Sequence, residues 1–145
     1  MKVKCLNKII KVVRNENSSW VYTLEEDVTY VFKGLTSRYA SYFHKSKLIG
    51  VQSDDRLTIL KGYSWNGISF FPDTDKTLKE SLLHDFGYQF GELFATRRQI
   101  DKMFYLLRKQ EGNWCPTCFY IILLSFGDLF FFQEPKLVSI EQTNI

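Results

Sequence analysis

Only three cysteines occur in the chain, at positions 5, 115 and 118. That number excludes a multi-bridge secreted scaffold and points to reduced thiols in a cytosolic compartment. Histidine is scarcer still, with His44 and His84 alone, so no ligand set or relay built from several histidines is available. Neither sign of charge predominates, with 19 Lys and Arg against 16 Asp and Glu. A net charge of +3 gives no strong nucleic-acid signal. Long apolar runs are few. The strongest, Cys118–Phe132, spans 15 residues and contains Asp128, short of the roughly 18–20 that a membrane span requires, so a buried core helix is expected and no transmembrane segment. The basic N-terminus, "MKVKCLNKIIKVVRNE", has apolar residues separated by lysines. It carries no h-region or cleavage site and reads as an edge strand with its lysines outward.

What the chain has in excess is aromatic rings. Thirteen Phe, eight Tyr and three Trp must supply much of the core, with some left for a groove or partner surface. A length of 145 residues fits a single domain, 1–145, with no repeat or linker. About 1–70 is β-rich. "WVYTLEEDVTYVF" reads as a hairpin broken at Glu25-Glu26-Asp27, and "KLIGVQSDDRLTIL" as two strands about a Ser53-Asp54-Asp55 turn. The intervening "KGLTSRYASYFHKSK" is ambiguous. About 75–132 follows a helical period. Capping-box spacings, Thr77 with Glu80 and Thr96 with Gln99, open two helices, Gly112 stops the second, and Pro116 opens a third. Residues 133–145 read as a C-terminal tail. The expected fold is α+β, an N-terminal antiparallel β-sheet packed against about three C-terminal α-helices.

Chemistry-bearing residues concentrate in two places. In "SLLHDFGYQF", His84 and Tyr88 stand at i and i+4 on one helical face, with Asp85 turned about 100° away. In "TRRQIDKMFYLL", Arg97 and Asp101 are likewise i and i+4, and Arg98 and Asp101 are i and i+3. An antiparallel pairing of these helices brings His84, Asp85, Asp101 and one of the arginines together, with Asn66–Ser69 approaching from the sheet side. On a functional reading, His84, Asp85 and Asp101 are the catalytic candidates and also the candidate ligands of one divalent metal ion. Asn66, Ser69, Tyr88, Arg97 and Arg98 then line the substrate side, an arginine holding a phosphate or carboxylate. On an architectural reading, His84 donates to Asp101 or to a backbone carbonyl and Asp85 pairs with Arg98, a polar network that fixes register. Cys115-Pro116-Thr117-Cys118 has redox or half-zinc spacing; with no second pair it reads as incidental to a helix's first turn.

The order "GYSWNGISFFP", "LLHDFGY", "TRRQIDKMFYLLRKQEG", "FYIILLSFG" resembles a bacteriophage and prophage family, domain of unknown function 1353, over about residues 59–127. Where that family commonly has Asp before the Gly of the first motif, this chain has Asn66, which keeps an oxygen acceptor and loses the charge. The resemblance implies a viral accessory protein in the host bacterial cytoplasm or a virion component, with other phage proteins or a host protein as partners. Two functions stay open: a His/Asp/Arg centre that binds a small ligand or metal and hydrolyses a phosphate or amide bond, or a non-catalytic assembly protein whose aromatic "DLFFF" segment feeds a core or an interface.

Overall fold

The computed structural model describes residues 1–14, 22–35, 38–65, 78–126 and 140–142. The chain divides into two compact units, one of residues 1–66 with 137–145 and the other of residues 67–136. The first is built of antiparallel strands and the second of three α-helices, so the chain is α+β.

Within the strand unit, β1 (Lys2–Cys5), β4 (Val28–Lys33), β5 (Arg38–His44), β6 (Lys47–Asp54), β7 (Arg56–Ile59) and β9 (Ile140–Gln142) form one sheet in the order β1-β4-β7-β6-β5-β9. A second sheet joins β2 (Val12–Arg14), β3 (Tyr22–Leu24) and β8 (Ser64–Trp65) in the order β2-β3-β8. Alternation fixes the register. Val28, Tyr30 and Phe32 on β4 are buried with Leu57 and Ile59 on β7, and the pairs Val28–Ile59 and Tyr30–Leu57 lie opposite each other. On the other face Thr29 and Thr58 meet hydroxyl to hydroxyl at 3.0 Å. A one-residue slip would exchange these two rows, so burial of the aromatic row specifies the pairing.

Two turns need no glycine. Lys45 and Ser46 both take positive φ (49° and 64°), the conformation that matches a two-residue turn to strand twist. Asp54 takes φ 59°, which a short polar side chain tolerates. The ambiguous segment is therefore half of the β5–β6 hairpin, and β1 is the expected edge strand, with Lys2 and Lys4 exposed and Val3 buried. The hairpin expected across Glu25-Glu26-Asp27 does not form. β3 and β4 flank that break but belong to different sheets, and the backbone there is bound elsewhere: Glu25 N–H donates to the Lys11 carbonyl, and the Asp27 carbonyl accepts from Asn7 Nδ2 at 3.0 Å. The expected C-terminal tail includes β9, which pairs with β5.

In the helical unit, α1 (Leu78–Phe90), α2 (Arg97–Gln110) and α3 (Pro116–Phe126) follow one another through a short 3-10 turn at Gly91–Leu93 and a break at Glu111–Cys115. The second capping box is real: Thr96 Oγ1 accepts from Gln99 N–H at 3.2 Å and Gln99 Oε1 accepts from Thr96 N–H at 3.0 Å. Gly112, at φ 68°, supplies the left-handed residue that ends α2. Thr77 of the first box lies outside the described residues. Early residues of α1 meet late residues of α2, and Arg97 and Arg108 at the two ends of α2 reach Leu124 late and Phe119 early in α3, so consecutive helices run antiparallel. Gly87 makes the first crossing close. A Cβ there would sit 2.9 Å from two carbons of the buried Ile100 side chain.

α3 is not the buried core helix expected. Phe119 is buried, but Ile121 and Leu124 are exposed (58% and 38%), because α2 covers only one face of a segment that is apolar all round. No helix among the described residues is long and apolar enough to cross a membrane.

Candidate functional site

The α1–α2 crossing carries two rows of polar side chains. On α1, Glu80, His84 and Tyr88 recur every four residues; on α2, Arg97, Asp101 and Arg108 occupy the facing side, with Phe104 between them. Each row lies within an otherwise apolar interface, so every member must find a partner or be desolvated at a cost of several kcal/mol, on the order of the penalty for an unpaired buried charge.

Asp101 is the hub. It is fully buried, and its Oδ1 accepts the Tyr88 hydroxyl at 2.6 Å and meets His84 Nε2 at 3.1 Å. Its Oδ2 accepts from Arg97 Nη1 at 3.3 Å, and the same guanidinium reaches the Leu124 carbonyl at 3.5 Å. Because an ionised carboxylate offers only acceptors, His84 bonds to it through an Nε2–H, and the neutral ring then carries its lone pair on Nδ1. Among the described residues nothing bonds to that nitrogen. The ring itself is held by packing, 4.0 Å from the Tyr88 ring centroid and edge-on to Phe104 at 5.3 Å. Burial, then the Asp101 carboxylate, push the Tyr88 phenol well above its ordinary range, with Arg97 pulling against them, so it stays protonated and donates to Asp101.

This arrangement selects among the expected residues. His84, Tyr88, Arg97 and Asp101 converge. Asp85 is half-buried on the adjacent side of α1 and bonds to neither His84 nor Asp101, and Arg98 is exposed, so the second arginine stands outside the centre. Helical geometry explains both: neighbours in sequence point about 100° apart, and only one of each pair can face the partner helix. Among the described residues no three His, Cys, Asp or Glu side chains gather closely enough to hold a metal ion, so His84, Asp85 and Asp101 form no ligand set there. Asn66 and Ser69 lie outside the described residues.

A second centre one helical turn away was not expected from the sequence. Glu80, fully buried, accepts from Arg108 Nη1 at 2.5 Å and from Asn113 Nδ2 at 3.3 Å. Arg108 also donates through Nε to the Trp114 carbonyl at 2.9 Å and lies 3.7 Å over the Phe119 ring. Burial pushes the Glu80 carboxyl up to about 7, with Arg108 and then Asn113 pulling against it. The available signal was a charge in an apolar stripe: Arg108 falls four residues after Phe104, and Glu80 four before His84.

The two cysteines read as incidental are in fact joined. Cys115 and Cys118, with Cα atoms 5.3 Å apart, form a disulfide across the first turn of α3. These two are therefore not the reduced thiols expected: the left-handed turn at Cys115 (φ 43°), just before α3, brings the pair within bonding reach. Cys5 is in no disulfide, and its thiol donates to the Asn7 carbonyl at 3.6 Å.

Comparison of the chain with protein-family models, with curated proteins and with solved structures finds no match.

Proposed function

We propose that this chain is a small phage- or prophage-encoded accessory protein, acting in the host cytoplasm or carried in the virion, whose His84 centre binds a small polar ligand and supplies a general base for its hydrolysis. The viral setting rests on the ordered motifs that resemble domain of unknown function 1353. The chemistry rests on one observation: a buried carboxylate meets the His84 ring at Nε2, from which we infer that Nδ1 is the acceptor of the neutral ring. A carboxylate behind an imidazole orients the ring and stabilises the cation formed when it takes a proton, which is how an Asp–His pair prepares a base. Arg97, with about one sixth of its side chain exposed, adds positive charge beside an incoming anion.

A second reading is favoured by a different observation. Both Asp101 oxygens are satisfied within the helix pair, as a purely architectural network in a virion or assembly protein would be. His84→Gln separates the two, because Gln can still donate to Asp101 but cannot act as a base at neutral pH. Purified protein is assayed against aryl phosphate, aryl ester and anilide substrates alongside its melting temperature. The catalytic reading expects turnover by the parent chain that H84Q loses while melting stays within a few degrees. An inactive parent chain, with H84Q affecting melting alone, refutes it in favour of the architectural one.

A further inference from the structure

We propose that Cys115–Cys118 is a reversible dithiol–disulfide site, reduced through Cys118 by a small-molecule or protein dithiol. Stapling the fold is a poor explanation for this bond. It closes a loop of only four residues, where cross-linking restricts the unfolded chain least. Neither residue is buried, Cys118 being exposed and Cys115 half-buried, unlike an inert structural bridge in a core.

The two cysteines are not equivalent. Cys115 immediately precedes the first residue of α3, an 11-residue helix, so its sulfur lies at the end where free backbone N–H groups and the helix dipole favour negative charge. Its backbone has φ 43°, a left-handed conformation that a residue with a side chain rarely adopts. Cys118 lies one turn along, on the outer surface. These positions assign the roles. A thiolate of the dithiol attacks Cys118 Sγ, the Cys115–Cys118 bond breaks, and the electron pair leaves on Cys115, which the helix terminus stabilises as the better leaving group. The reductant's second thiolate then attacks its own sulfur in the mixed disulfide and expels Cys118. The reductant ends as a disulfide, and the cysteine pair gains two electrons and two protons.

The bond also sits at a junction. Trp114, just before it, offers its carbonyl to Arg108, and Phe119, just after it, lies under the same guanidinium, which in turn pairs with Glu80. Opening the disulfide therefore loosens the segment that holds Arg108 from both sides, and the exposed Trp114 indole reports it.

The folded full chain is equilibrated with graded ratios of reduced to oxidised dithiothreitol, quenched with a thiol-reactive mass tag and read by intact mass. Circular dichroism of the same samples follows the fold. Cys115 and Cys118 are expected to gain tags together in one reversible transition, with helicity retained and Trp fluorescence shifting in parallel. In Cys115→Ser, the remaining Cys118 is expected to capture glutathione from its disulfide. In Cys118→Ser, Cys115 is expected to alkylate roughly fivefold or more faster than Cys5 at neutral pH. Tagging of one cysteine without the other, reduction only after urea unfolding, or failure to reoxidise overturns the proposal. So does a Cys115 no faster than Cys5.

Discussion

Replacing Asp101 by Ala removes one fully buried carboxylate and strands three donors at once. The buried Tyr88 hydroxyl loses the carboxylate to which it donates, at a cost of about 1–3 kcal/mol. Breaking a wholly buried ion pair costs roughly 3–5 kcal/mol. Arg97 and His84 keep side-chain exposures of 16% and 11%, so both recover some hydration and the pair contributes at the low end. The expected loss for Asp101→Ala is therefore about 4–6 kcal/mol, or a fall of roughly 12–20 °C in melting temperature for a chain of this size. Tyr88→Phe alone should cost about 2 kcal/mol, since its hydrogen bond goes to a charged acceptor. In the Asp101→Ala background the same change should cost distinctly less, because the carboxylate that accepts this bond is already gone. Urea unfolding followed by helical circular dichroism on the four proteins of this cycle measures the coupling. A loss under about 1 kcal/mol for Asp101→Ala, or additive effects of the two changes, refutes the account of Asp101 as the hub.

Glu80 gives a pH prediction whose sign follows from its raised carboxyl. The folded value of about 7 lies above the ordinary 4.5, so the group's contribution is complete below 4.5 and is lost as pH rises to 7. Glu80→Gln should remove that loss, with its stability relative to the parent rising over that interval by at most about 3 kcal/mol; a difference that does not change with pH contradicts the assignment. Gly87→Ala should destabilise by about 1–2 kcal/mol although Ala is the better helix former, because the new methyl meets Ile100 at 2.9 Å. Adding Ile100→Val should restore part of the loss, and a stabilising Gly87→Ala would show that α1 and α2 do not approach as described.

Much of this could be read from the residues themselves. Thr96 and Gln99, Gly112 and Pro116 set the limits of two helices through backbone chemistry that does not depend on neighbours, and the structure places them accordingly. His84, Tyr88, Arg97 and Asp101 were legible as i, i+4 pairs, and antiparallel pairing was enough to join them. What could not be read was long-range. The Glu25–Asp27 break looks like a hairpin because pairing partners from β1, β2 and β8 are remote in sequence. Choosing Arg97 over Arg98, or ranking Glu80 with Arg108, requires knowing the rotation of each helix about its axis, which one residue of error changes by about 100°. The Cys115–Cys118 bond depends on the particular turn at the start of α3, to which spacing alone is indifferent.

The claim at the centre of the account is that Asp101 holds His84 through Nε2 and leaves Nδ1 bare. Long-range proton–nitrogen correlation NMR of the ring, on nitrogen-15-labelled protein above the imidazole titration range, observes this directly. The account predicts the proton on Nε2, an unprotonated Nδ1, and loss of that single-tautomer pattern in Asp101→Ala. A proton on Nδ1, or a tautomer mixture indifferent to Asp101, would contradict it.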